Sequence, residues 1–586
     1  MKLERELEQL QQAQLIRRLP DEDLTYLFKH ALTQDAAYES LLLKKRREIH
    51  RHVAQAYEQL DPEHLDELAA VLAQHYAEAG DDARTLEYLI RAGDAAGRLQ
   101  ANVEAIARYT QALEVAARMP PAPDKLLHLY TRRGRALELT GDYDRALANY
   151  DEMALLARRH NERALELAAL MASATVYSAP TARFDPPHAQ ALAEQTLALA
   201  QELDDRAASA KILWNLMLLN YFTGRLPESL AYGEQSLALA REFNLREQLA
   251  YTLNDIGRVY QVLGQSERAN AAADAAHALW QELDNKPMLV DSLRNTALRY
   301  SQTGEFDQVL KNSDEAYRLS ESIGSLWGQS YSRMGTGYIY WGRGQIEQAI
   351  QRMEECFRLA DQAGFLVAAA SERAALGELY ATMGDLERGF ALVHAAWDKG
   401  QAMPSSSSAL TAMFARLHTL AGDLEQAESD LQRSYLAASQ TNMPLGKGFT
   451  WLADLELSLA KSDYPRALRV ADELLTLLKQ HGIRIYIIGA LWYKGRALAG
   501  QGRTDDALAT LADARAEAQA LGTRRTLWEI LALSADLEQQ RGNESAAAAL
   551  HAQARETVEF IAAHTPDDLR RAFLNLPQVQ HALRDR

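Results

Sequence analysis

The chain carries a single cysteine, Cys356, in 586 residues. One thiol excludes a disulfide framework and any zinc site built on cysteine. Glycine (31) and proline (15) are scarce, too few turn formers for an all-β protein of many short strands. No apolar run approaches the ~18 residues of a membrane span, and Met1–Gln14 is charged, with no signal-peptide core. Positive charge is in deficit: 63 Lys and Arg face 80 Asp and Glu, a net charge of −17. That disfavours long nucleic-acid contacts, whose affinity comes from neutralising phosphates. Also missing are a phosphate-cradling Gly-x-x-x-x-Gly-Lys-Ser/Thr loop, a His-Glu-x-x-His pair and a Gly-x-Ser-x-Gly elbow. The nearest approach to the first, Gly446-Lys-Gly448, lacks the loop length and the hydroxyl that would hold magnesium. These absences lead us to expect a cytoplasmic, non-enzymatic protein with no cofactor, no metal and no membrane partner.

What is present is helical and periodic. A phrase recurs in which a Gly is followed by polar or acidic residues and, five positions on, by a small one. It reads Gly141-Asp-Tyr-Asp-Arg-Ala146, Gly264-Gln-Ser-Glu-Arg-Ala269, Gly344-Gln-Ile-Glu-Gln-Ala349, Gly422-Asp-Leu-Glu-Gln-Ala427 and Gly502-Arg-Thr-Asp-Asp-Ala507. From Gly224 the turn positions are 224, 264, 304, 344, 384, 422, 462, 502 and 542, with Ser462 standing in for one glycine. A further repeat fits between Gly141 and Gly224, its turn in the proline-rich Ala179–Pro187 segment. Glycine ends a helix because it accepts a positive φ, and the acid after it suits the positive end of the next helix. Small residues twelve after the turn (Ala276, Ala316, Cys356, Ala396, Ala514 and Ala554) let helix axes approach. Seven before it lies Gly257, Gly337 or Gly377, with Tyr260, Tyr340 or Tyr380 three residues later.

This pattern resembles the tetratricopeptide repeat, stretched from its usual 34 residues. The resemblance covers roughly residues 66–565 and implies an all-α fold. The expected form is a right-handed superhelical solenoid of about eleven to twelve helix pairs. Residues 1–60 lack the turn phrase. Their Phe28-Lys-His-Ala-Leu-Thr-Gln-Asp-Ala-Ala-Tyr38 run, followed by Arg46-Arg47-Glu-Ile-His50, is similar to the winged-helix end of large bacterial signalling ATPases. Such proteins join a P-loop ATPase, and often a nucleotide cyclase, to tetratricopeptide regions. The segment Pro566–Pro577 resembles their closing helix. The resemblance carries no catalytic residue here, since neither the P-loop nor a cyclase domain is in this sequence. It implies three regions: a winged-helix remnant and connecting helix (1–60), a repeat array (61–565) and a C-terminal capping helix (566–586). It also implies a fragment or a split protein, whose ATPase module would be supplied in cis or in trans. Within residues 1–60 a hairpin is expected around Pro20–Asp23, then helices over Thr33–Leu42 and Lys45–Leu60. The basic run Lys44–Arg47, with His50, Arg51 and His52, reads as the solvated face of a helix. His50 and His52, two apart, point to different sides and make a poor metal pair.

In tetratricopeptide arrays the first helix of each pair lines the concave face, at about 13, 10, 6 and 3 residues before the turn. The matching positions here include Trp214, Tyr221, Tyr251, Asn254, Arg258, Asp291, Arg294, Tyr331, Tyr338, Trp341, Trp492 and Arg496. Lys211, Gln261, Ser301 and Arg416 share the register. Aromatic rings and Arg among neutral polar groups suit a protein, peptide or small ligand, through stacking and directed hydrogen bonds. Two functions follow as expectations: a signalling scaffold that binds a protein or peptide, or the effector-sensing arm of a signalling ATPase, cyclase or transcription regulator.

Overall fold

A computed structural model describes residues 2–19, 26–99, 101–179, 181, 183–400, 404–441 and 444–584. The chain divides into two compact units, residues 1–137 and 138–586.

In the first unit the expected hairpin forms. Strands Ile16–Arg18 and Tyr26–Phe28 pair antiparallel, with Ile16 opposite Phe28; the Pro20–Asp23 tip lies outside the described residues. Helices follow over Ala31–Glu39 and Leu43–Leu60, close to the expected spans, then over Ala69–Ala79, Asp82–Arg98 and Asn102–Arg118. Repeat packing is already established here. Tyr76 and Tyr88 stack with centroids 5.6 Å apart, and Gly80 closes the Ala69–Ala79 helix with φ +72°.

The second unit is a regular succession of antiparallel helices, many of them 17 residues long. Arg246–Val262, Ser266–Glu282, Lys286–Thr303 and Phe306–Ser322 show the pattern. The Gly264 turn shows how a helix is stopped. Its φ is +75°, Gly264 N–H donates to Gln261 O, and Gln265 N–H reaches back to Tyr260 O at 2.9 Å. That pair of bonds satisfies carbonyls the helix end would otherwise orphan. A second turn of the same kind lies midway through seven of the repeats. It falls at 204, 244, 284, 324 and 364, and again at 482 and 522, all with positive φ. The first three of these are Asp204, Asn244 and Asp284, side chains that tolerate the left-handed region. The structural unit is thus a twenty-residue half-repeat, which a search for glycine alone does not reveal. Asp142, Asp205 and Asp463 cap the helices they precede by accepting a backbone N–H.

The small positions do what their size allows. Ala276, Ala316, Cys356, Ala396, Ala514 and Ala554, all twelve after a turn, are wholly buried. Cys356 behaves as a small core residue, its Sγ donating to Ser330 O at 3.1 Å. The Ala179–Pro187 segment spans the break between two helices, Arg163–Ser178 and Pro186–Glu202, and its last two prolines open the second. The closing segment is two short helices, Asp567–Leu574 and Pro577–Leu583, where the sequence implied one. Proline at 577 begins the second, because it cannot continue the first without losing a hydrogen bond. Leu569, Phe573, Val579 and Ala582 bury themselves against Trp528 and Ile561.

Turns far apart in sequence also meet. Arg484 N–H donates to Gln302 O at 2.8 Å, and the N–H groups of Arg524 and Arg525 both donate to Gly342 O, at 2.6 and 3.0 Å. Glu347 N–H reaches His564 O at 3.0 Å, and Arg388 bonds Asp568 at 2.8 Å. The superhelix therefore closes on itself, each coil resting on one roughly five repeats away.

Candidate functional site

The first helices of successive repeats lie side by side, so residues about forty apart meet on the inner face. Trp214 Nε1 donates to Asp255 Oδ2 at 2.7 Å. Arg258 pairs with Asp255 Oδ1 at 2.5 Å and lies over the Tyr221 ring, 5.5 Å from its centre. Asn254 donates to Asp291, as does Asn295 at 3.4 Å. Tyr331 donates to Asn295 Oδ1 at 3.2 Å, and Arg294 donates to Tyr331 O at 3.1 Å. Seven of the twelve residues expected to line the concave face thus belong to one network. Tyr251 is placed differently: its ring sits between Trp214 and buried Trp280, at 5.4 and 4.8 Å, filling a seam between helices.

Burial sets the charge state of this network. Desolvation and the neighbouring Asp255 push the Asp291 carboxyl up to about 6, against the pull of Arg258 and Arg294. Burial raises the Tyr331 phenol to about 12. Burial also holds Glu372 up to about 7, although Gly335 N–H donates to it at 2.8 Å and Arg294 opposes the shift. Its second oxygen is buried without a partner. Gly335, at φ +82°, splits what is elsewhere one continuous first helix into Leu326–Arg333 and Thr336–Gly342.

Further along, the residue six before each turn alternates in sign: Glu378, Arg416, Glu456, Arg496, Asp536. Arg416 bridges Glu378 at 2.5 Å and Glu456 at 2.7 and 2.9 Å. Arg525, brought in by the neighbouring coil, bonds Glu378 at 2.6 Å and lies 3.3 Å from the centre of the Trp341 ring. Two guanidiniums hold Glu378 below the ordinary carboxylate range despite complete burial. Tyr338 donates to Glu378 Oε2 at 3.4 Å. Glu456 is occupied by Arg416 and the Tyr493 hydroxyl, and Asp536 by His581 at 2.9 Å. Arg496 is passed over from both sides. It is exposed, lies 5.5 Å from the centre of the Trp492 ring, and with Arg525 pulls against the desolvation that pushes the Glu529 carboxyl up to about 7.

The architecture is that of a tetratricopeptide-like solenoid. Among solved structures the chain is similar to Cut9 in the Cut9–Hcn1 hetero-tetramer of the APC/C, at 14% identity. That match covers 86% of this chain and 99% of that one, with a TM-score of 0.43. It is also similar to a Rap protein complexed with competence and sporulation factor, at 13% identity over 68% and 99% of the chains, TM-score 0.42. The Rap conjugation gene regulator of plasmid pLS20, solved in complex with the Phr* peptide, matches at 16% identity over 49% and 77%, TM-score 0.41. No family model matches the chain, and no curated protein does. The resemblance to signalling ATPases therefore finds no counterpart. No helix among the described residues is long and apolar enough to cross a membrane.

Several residues that organise the solenoid's inner face were missed by position counting. Asp255 and Asn295 sit one residue outside the counted register, and Arg525 arrives from another coil. Glu378 and Glu456 were missed as well, although the register that gave Arg416 and Arg496 leads to both.

Proposed function

We propose that the second unit is a non-enzymatic scaffold whose inner face holds a protein or peptide partner, serving bacterial signal transduction. The observation that carries this reading is the inner face itself. Arg, Asp, Asn and aromatic side chains stand there on rigid helices, already held by one another, so little ordering remains to be lost on binding. Arg496, exposed on the charge column beside the Trp492 ring, offers the partner an anion contact.

A photo-crosslinking residue at the position of Tyr221 tests this in the native cell. One dominant partner is expected, diminished by Arg258→Gln and absent when the crosslinker sits on the outer face at Glu354. Equal capture from both faces would remove the basis of the proposal.

The split helix supports a second reading, an effector-sensing arm that acts on a signalling ATPase supplied in cis or in trans. Gly335 joins two half-helices, and a ligand that preferred one angle between them would shift the whole stack. Thermal-shift screening against metabolites would show a stabilising effector if this reading holds.

A further inference from the structure

The helix Ala31–Glu39 in the first unit buries none of its side chains. What ties it to the helices that follow is concentrated at Tyr38. The Tyr38 hydroxyl lies 3.0 Å from His50 Nε2 and 3.4 Å from Glu78 Oε2. His50 Nδ1 in turn faces His75 Nδ1 at 2.8 Å. His50 belongs to Leu43–Leu60, and His75 and Glu78 belong to Ala69–Ala79, so one chain of polar contacts joins three helices. Tyr57 stacks on His75 at 6.2 Å, and Arg46 lies 4.9 Å from the centre of the Tyr38 ring while pairing with Glu39 at 3.0 Å. Arg51 reaches Ala79 O, and Arg47 lies beside Gly80.

The distances allow one consistent assignment of protons. Tyr38 donates to Glu78 and accepts from His50 Nε2–H. That leaves His50 Nδ1 bare, and it accepts from His75 Nδ1–H. A first added proton can go to His75 Nε2 and leaves the bond between the rings in place. A second must go to His50 Nδ1. Two N–H groups then face each other across 2.8 Å, and attraction becomes repulsion.

We propose that His50, His75 and Tyr38 form an acid-opened latch between the Leu43–Leu60 and Ala69–Ala79 helices: once the two rings repel, Tyr38 cannot hold both His50 on one helix and Glu78 on the other, and the Ala31–Glu39 helix loses its double anchor. Burial and the neighbouring His50 lower the His75 pKa from the ordinary 6.5. Arg46, Arg47 and Arg51 oppose further protons, while Glu78 and Glu39 favour them. Opening therefore follows protonation of both rings, on the acid side of neutrality. The latch is independent of any partner on the inner face of the second unit.

Hydrogen exchange of the full chain at pH 7.5 and pH 5.0, corrected for intrinsic rates, tests it. In the wild type, exchange in residues 31–39 is expected to rise about tenfold on acidification, while Asp82–Arg98 stays protected. His75→Phe keeps the ring stack but removes the bond, so residues 31–39 should exchange fast at both pH values. His75→Gln keeps a donor toward His50 and should preserve protection at pH 7.5. Equal protection of residues 31–39 at the two pH values would overturn the latch. So would an acid response that persists unchanged in His75→Phe, or one that spreads equally through Asp82–Arg98.

Discussion

Glu378 and Glu372 stand six residues apart on one helix and answer burial in opposite ways. Glu378 is met by Arg416 and Arg525, and its pKa is lowered. Its ionised form therefore contributes stability above the ordinary carboxylate range, and that contribution is lost as pH falls through it. Glu378→Gln removes the buried carboxylate that Arg416 and Arg525 share and should cost about 3 kcal/mol at neutral pH, read as a lower midpoint in denaturant. Glu372 has no such pair, and its pKa is raised from 4.5 to about 7. Between those values the folded chain binds more protons than the unfolded one, so stability falls as pH climbs through the window and levels off above it. Glu372→Gln should abolish that slope and be the more stable protein at pH 8, by on the order of 3 kcal/mol. At this scale the sequence was partly legible. Buried small residues such as Cys356 follow from the repeat register alone. The raised Glu372 does not, because nothing in a helical pattern says whether a charge will find its partner.

At the scale of the element, close approach and turn geometry can be separated by substitution. A Cβ on Gly377 would come within 2.8 Å of both Gly389 O and the Val393 side chain. Gly377→Ala must push two helices apart and should cost about 1–3 kcal/mol. Gly502, at φ +72°, has nothing within 4 Å of such a Cβ, so Gly502→Ala bears only the left-handed backbone cost of about 1–2 kcal/mol. Thermal melts of the two variants in one background check the order. Helix lengths and the forty-residue period were legible, because glycine and the acid after it announce each major turn. The midway turns were harder to see where Asp204, Asn244 and Asp284 replace glycine. The split at Gly335 was hidden for a different reason: the flanking residues keep the apolar spacing of one unbroken helix.

At the scale of the whole second unit, contact between coils predicts behaviour that an open stack of repeats would not show. In a nearest-neighbour array, a cut disturbs only the repeat beside it. Here, ending the chain after Gln480 removes the partners of Gln302 O and Gly342 O and uncovers Gly304, which faces Leu521. Hydrogen-exchange protection should fall in Lys286–Thr303 and Leu326–Gly342, well over a hundred residues from the cut. Loss confined to the last remaining helix pair would contradict this. None of these contacts was legible in the sequence. Both partners in each are ordinary turn residues, and no local pattern records which turn will meet which.

Coil-on-coil contact also bears on how such a chain can change over evolutionary time. An open solenoid can gain or lose a repeat by duplication or deletion, since every unit offers the same two surfaces. In this protein, one repeat added between Gly304 and Gly502 would move Gly342 opposite a different turn and shift every pairing beyond it. Repeat number becomes a conserved quantity, set by how many repeats complete a coil. Relatives of this chain should therefore vary in the length of their loops while keeping the count of their helices.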